Sequence, residues 1–223
     1  MVPAREPEKT HRSVSGALLS WWDSHGRSYP WRRTRDPYRI LIAEILLHRT
    51  RADQVKRVYE DFIRRYPTVA DLARAKRADV IATLKPLGLR WRSRLLLAMA
   101  RVLHEQYQDE IPRSSDLLKS LPGVGDYIAA AVQCFAFGVP TPILDANTVR
   151  VTGRIFGVPI SDSARRKEEF RNMYSSLHDV SRSRDFNLAM IDLAALLCRP
   201  SHPRCHLCPI STHCEFGRGR NEA

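Results

Sequence analysis

Apolar residues recur at intervals of three and four along almost the whole chain and hardly anywhere in alternation. That spacing gathers them on one face of an α-helix and would scatter them over both faces of a strand. It restricts the fold to an all-α architecture. Glycine and proline mark the joins, at Pro67, Pro86-Leu87-Gly88, Pro112, Pro122, Gly138 and Pro140. Between them the spacing predicts helices over 13–24, 38–47, 52–65, 69–75, 78–84, 91–106, 114–120, 126–137, 147–156, 164–177 and 185–197. Asp36-Pro37 opens the second of these, with Asp as N-cap and Pro in the first turn, where its missing N–H is no loss. Residues 1–10 and 217–223 are expected to fray, and no internal repeat or low-complexity segment is present.

A chain of 223 residues makes one large domain or two small ones, and 43% hydrophobic residues supply an ordinary core. The formal net charge is +12, with 30 arginines against 6 lysines. A surface this basic suits a polyanion, nucleic acid before others; the codon usage of a GC-rich genome is the other source of so much arginine. No run of 18 apolar residues occurs, which excludes a membrane-spanning helix. The polar, proline-containing start is not a signal peptide, so the expected compartment is the cytoplasm.

Two segments carry chemistry. Leu121-Pro122-Gly123-Val124-Gly125-Asp126-Tyr127 sets two glycines between short helices. Glycines permit a tight turn at positive φ and let a phosphate approach the backbone. The helix after them offers unpaired N–H groups and its positive dipole end to the same anion. Such a turn holds the DNA backbone and reads no bases; an ordinary helix–helix turn is the plainer alternative. Further on, Asp145 follows Ile143-Leu144 and precedes a predicted helix. It is an N-cap, a catalytic carboxylate, or both, since N–H donors keep a carboxylate ionised and able to stabilise a cation. Glu44 lies inside the apolar stretch Ile40 to Leu47. It is either a buried partner for an arginine or a general acid whose surroundings favour its protonated form.

Four of the five cysteines, Cys198, Cys205, Cys208 and Cys214, crowd into one short stretch. In a reducing compartment such clustering indicates a metal or cluster site rather than disulfides, and Cys-x2-Cys by itself also suits zinc. Cys134, on the helix after the glycine turn, reads as a core thiol. His202, His206 and His213 read as surface residues.

Leu-Pro-Gly-Val-Gly, Asp145 twenty residues after Gly125, and the spacing Cys198-x6-Cys205-x2-Cys208-x5-Cys214 together resemble the helix–hairpin–helix DNA glycosylases of the endonuclease III type. The resemblance covers about residues 21–214. It implies a two-lobed helical fold, with residues 29–139 carrying the hairpin and residues 1–28 plus 140–223 forming a second domain around the cysteine loop. It implies a [4Fe–4S] cluster on the four cysteines and a nucleotide flipped from double-stranded DNA for cleavage of its N-glycosidic bond. Asp145 matches the family's essential aspartate. The lysine nucleophile of bifunctional members falls on position 127, where this chain has Tyr127, and a phenol forms no Schiff base. The resemblance therefore implies a monofunctional, monomeric enzyme that leaves an abasic site for a downstream endonuclease.

Two subfamilies place a glutamate at the position of Glu44 and often a tyrosine at that of Tyr127: the adenine glycosylases, and the glycosylases that remove T or U opposite G. Adenine glycosylases usually have two glutamines where this chain has His48-Arg49, which favours the T/U group. With so little sequence after Cys214, no C-terminal domain of the kind with which adenine glycosylases read 8-oxoguanine is expected. His48 and Arg49 are expected at the DNA. Leu89 is either a wedge that fills the gap left by the flipped base or a core residue. Arg90, Arg92 and Arg94 either contact phosphates or form a solvated helix face.

Overall fold

The computed structural model describes residues 7–88, 90–161 and 163–221. Among them there is no β-strand, as the apolar spacing requires. The chain splits into two compact units, Ser28–Val139 and Met1–Arg27 with Pro140–Ala223. Helix α1 (Pro7–His25) belongs to the discontinuous unit. The continuous unit holds α2 (Pro37–Leu47), α3 (Ala52–Arg65), α4 (Val69–Ala73), α5 (Arg77–Leu84), α6 (Trp91–Tyr107), α7 (Ser115–Ser120) and α8 (Asp126–Phe135). Then α9 (Ala146–Phe156), α10 (Glu168–Leu177), α11 (Ser183–Leu196) and α12 (Glu215–Asn221) complete the discontinuous unit. No helix of the described residues is long and apolar enough to cross a membrane.

Helix α2 is the centre of the continuous unit, buried on nearly all sides and packed against α3, α6 and α8. Asp36 caps it by accepting the Arg39 N–H at 3.1 Å, with Pro37 in the first turn. Its flanks are pinned by two tyrosines: Tyr38 Oη donates to the Tyr66 carbonyl at 2.8 Å and Tyr59 Oη to the Arg39 carbonyl at 3.2 Å. Cys134 is a buried core thiol of this unit.

In the discontinuous unit Leu18 of α1, Val151 of α9, Tyr174 of α10 and Phe186, Met190 and Leu193 of α11 share one core. A few such side chains, at roughly 1.5–3 kcal/mol each, hold α1 to helices more than a hundred residues away. Two buried polar groups of α11 fix what the apolar contacts leave free. Asp192 accepts the Trp22 Nε1–H at 3.2 Å, the Arg27 backbone N–H at 2.8 Å and Arg27 Nε at 2.6 Å. Asn187 accepts from the Ile143 N–H at 3.0 Å and Tyr174 Oη at 2.8 Å, and donates to the Thr141 carbonyl at 3.0 Å. Asn187 thereby fixes the segment that runs into α9.

Three expectations need correction. The helix expected over 164–177 is broken: a 3-10 turn, Ala164–Arg166, gives way at an extended Lys167 to α10. Ala164 and Phe170 both pack on Val149; six residues along an unbroken helix would put them on different faces. Residues 7–10 and 217–221 were expected to fray and are helical instead. Gly217 explains the second case, since it packs so close to Ser211 that a Cβ would lie 2.9 Å from the Ser211 carbonyl oxygen. Arg92 faces neither phosphate nor solvent, being fully buried.

Candidate nucleic-acid interface and active-site residues

The glycine turn joins α7 to α8. Gly123 has φ +84°, in the left-handed region, and a Cβ there would sit 3.1 Å from Leu95 Cδ1. The left-handed backbone favours glycine here, and a Cβ would press on the Leu95 side chain. Gly125 is the N-cap of α8, and both glycines are exposed. Leu121 and Val124 turn their side chains into the core, so these two positions offer only backbone to a phosphate. The Val124 N–H closes the turn on the Leu121 carbonyl at 3.1 Å. The first N–H groups of α8 point out of the helix end, as an anion site needs. Tyr127 is half-buried in the first turn of α8. Lys119 pairs with Asp116 at 3.0 Å and lies 4.0 Å from Asp126.

Glu44 lies in the middle of α2 and is buried among the apolar residues of that helix. Its helix packs on α8, which carries Tyr127. At the C-terminal end of α2 the chain turns through His48, Arg49 and Thr50, with the Thr50 N–H bonded to the Leu47 carbonyl at 3.0 Å. His48 and Arg49 are exposed, and Arg49 has φ +61°, a conformation that non-glycine residues seldom adopt. Leu89, the expected wedge, lies outside the described residues.

In the discontinuous unit Asp145 is the N-cap of α9 and half-buried. Its Oδ1 accepts the backbone N–H groups of Asn147 at 2.8 Å and Thr148 at 2.7 Å, and its Oδ2 accepts Asn147 Nδ2 at 2.9 Å. Thr148 completes a capping box by accepting the Asp145 N–H at 2.8 Å. The carboxylate is held on three sides and cannot turn without losing these bonds. Arg150 extends the arrangement: Nη1 donates to Asn147 Oδ1 at 3.0 Å, Nε to the Cys198 carbonyl at 3.0 Å and Nη2 to the Ala194 carbonyl at 3.1 Å. The chain Asp145–Asn147–Arg150–Cys198 thus ties the carboxylate to the start of the cysteine loop. The sequence reading did not foresee that Asn147 and Arg150 orient the aspartate; their positions two and five residues past it are the signal that could have shown it.

Cys198 follows α11, Cys205 opens a 3-10 turn over Cys205–Leu207 that Cys208 closes, and Cys214 follows another over Ser211–His213. None is in a disulfide. All four line one small cavity, of about 20 Å³, together with Arg154, Val151 and Ile210. Arg154 Nη1 donates to Cys198 Sγ at 3.3 Å, and Cys214 Sγ to the Arg154 carbonyl at 3.2 Å. Burial pushes the Cys208 thiol up to about 12 and also raises that of Cys214. Among the described residues no three His, Cys, Asp or Glu side chains form a group that could hold one metal ion. Four thiols around one space are the donor set that a [4Fe–4S] cluster takes, one thiolate to each iron.

A hairpin with this glycine pair, followed by a capped aspartate one helix later, defines a class, and the sequence match agrees. The chain belongs to the HhH-GPD superfamily of base excision DNA repair proteins, matched over residues 42–175. That stretch takes in Glu44, the glycine turn and Asp145, and ends before the cysteine loop. The chain is 36% identical over 209 residues to the thymine/uracil-DNA glycosylase of Methanothermobacter thermautotrophicus, covering 93% of this chain and 95% of that protein. It is 34% identical over 201 residues to the adenine DNA glycosylase of Mycolicibacterium smegmatis, covering 89% of this chain but 68% of that protein. A solved thermostable thymine-DNA glycosylase matches with a TM-score of 0.87 at 36% identity, over 95% of this chain and 98% of that one. The fold expected from the hairpin, an all-α member of this superfamily, is the fold found.

Proposed function

We propose that the protein is a monofunctional DNA glycosylase of base excision repair that removes T or U opposite G from double-stranded DNA and leaves an abasic site. The observation that carries this reading is the near end-to-end similarity to a thymine/uracil-DNA glycosylase. The glycine turn and the N-terminal end of α8 hold a phosphate, with His48 and Arg49 at the mismatch. A mispaired base is cheaper to unstack than a paired one, which favours its flipping. Glu44, kept in an apolar helix, gives a hydrogen bond or proton to the departing base. Asp145, oriented by its three donors, stabilises the positive charge that develops on the sugar as the bond breaks, and water completes the hydrolysis. Tyr127 packs against the flipped nucleotide and supplies no amine, so the sugar is not captured covalently and the strand is not cut.

Cys198, Cys205, Cys208 and Cys214 would hold a [4Fe–4S] cluster, for which the cavity they ring is the support. Bound there, it would join the end of α11 to the loop before α12, a structural contribution that hydrolysis itself does not require.

The second reading, an adenine glycosylase, rests on Glu44 and Tyr127, which both subfamilies share. A non-catalytic DNA-binding protein on the same scaffold ranks below it, because such a protein has no use for Asp145 and Glu44. Duplexes carrying T:G, U:G, A:G and A:8-oxoguanine, scored for base release, separate these readings. Release from T:G and U:G is the expected result. Release from A:G with inert T:G supports the adenine reading, and no release from any duplex supports the non-catalytic one.

A further inference from the structure

Among the described residues Arg92 is the largest fully buried side chain, yet it is an arginine. It lies on the inner stripe of α6 with Leu96, Met99 and Leu103, all buried at helical spacing. Its two terminal nitrogens reach across to the end of α2. Nη1 donates to the Leu46 carbonyl at 2.7 Å and Nη2 to Thr50 Oγ1 at 2.9 Å. Neither acceptor is charged, and Nε has no hydrogen-bond partner among the described residues. Burial alone lowers the guanidinium's pKa, to about 10. An aliphatic side chain would fill the same stripe without burying a charge, so packing does not explain the residue.

The acceptors do explain it. Leu46 O is among the last carbonyls of α2, where the helix dipole is negative and no intrahelical N–H remains to bond. Thr50 ends the turn that presents His48 and Arg49. The two bonds therefore bracket that turn, one on each side of Arg49 with its left-handed backbone. Trp91 closes the outer side: its ring lies 5.5 Å from Arg92 Cζ and meets the His48 ring edge-on at 6.2 Å. A strained, exposed turn keeps one shape only if its surroundings impose it. A planar fork with fixed donors imposes a shape better than a flexible amine.

We propose that Arg92 is a positioning residue for mismatch discrimination, a buried clamp that holds the Leu46–Thr50 turn in the form that presents His48 and Arg49 to the mispaired site. It touches no DNA itself. The proposal rests on the reading that His48 and Arg49 contact the mismatch. It separates discrimination from general grip, because the glycine turn binds phosphate without Arg92.

The test is binding of the full-length protein to two duplexes, one fully paired and one carrying an uncleavable 2′-fluoro-thymidine opposite G. The quantity read is the ratio of the two Kd values, with Tm recorded for each variant. Arg92→Lys keeps the charge but cannot span both acceptors, and the ratio is expected to fall by about 10-fold, the scale of one hydrogen bond to a charged group. Thr50→Val removes one acceptor at a half-buried position while keeping the side chain's shape, and a fall of about 3-fold is expected. Affinity for the paired duplex should stay within about twofold in both, since phosphate contacts supply it. Equal weakening on both duplexes, or an unchanged ratio in both variants, overturns the proposal. A His48→Ala/Arg49→Ala variant shows which idea failed. If it loses the ratio while Arg92→Lys and Thr50→Val keep it, the clamp is wrong and the reading of the turn stands. If it keeps the ratio, the reading itself is wrong and the clamp falls with it.

Discussion

Asp145 and Glu44 are both carboxylates assigned to one reaction, and the protein houses them in opposite ways. Asp145 stands at a helix N-terminus, half-buried, with two backbone N–H groups and a side-chain amide directed at its oxygens. Glu44 sits in the middle of a helix, buried among isoleucines, leucines and an alanine. The first setting aims hydrogen-bond donors at a carboxylate at a helix end, where it can stabilise charge that develops on the sugar. The second surrounds a carboxyl with apolar side chains in the middle of a helix.

Substitutions that keep shape and remove one function test this contrast. Glu44→Gln keeps the packing of α2 but gives up the proton, so base release from a T:G duplex should fall by about 10²–10⁴-fold in single-turnover assays. A loss that appears only in Kd would mean that Glu44 binds rather than protonates. Asp145→Asn should lower release by about 10²–10³-fold. Asn caps helices as well as Asp does, so Tm should barely move. A large drop in Tm would make capping the chief role of Asp145 and erase the contrast.

Smaller effects sharpen the picture around each group. Arg150→Met cuts the link from Asn147 to the Cys198 and Ala194 carbonyls. Release is expected to slow by about 10-fold with unchanged Kd, as a hydrogen bond to a charged group is lost next to a reacting carboxylate. If Kd changes and the rate does not, Arg150 serves the cysteine loop and not Asp145. Gly123→Ala forces a Cβ onto a left-handed residue against Leu95, and should cost about 1–2 kcal/mol of stability by denaturant unfolding. An unchanged midpoint would show that the turn has another conformation open to it.

Much of this was legible in the sequence, for reasons that can be traced. Asp36-Pro37 and the apolar run after it specified α2, because cap chemistry and periodicity are local. Within Gly123-Val124-Gly125 it is Gly123, with its left-handed backbone close to Leu95, that marked the turn. Asp145 read as a cap and is one. Arg92 was misjudged as solvent- or phosphate-facing because charge outweighed position. Yet its spacing of four, seven and eleven residues to Leu96, Met99 and Leu103 already placed it on the buried stripe. The break at Lys167 was invisible because it answers to Val149, which is close only in the folded chain. Asn147 and Arg150 were unreadable as an orienting pair for the same reason: Arg150 meets Ala194 and Cys198 across more than forty residues of sequence.

The most direct test of the whole account is base release by the wild-type protein from a T:G duplex in a single turnover, split into samples with and without alkali and with borohydride in a third. The account predicts strand cutting only after alkali, and no covalent capture, because Tyr127 has no amine to offer. Cutting without alkali together with efficient borohydride capture would contradict it.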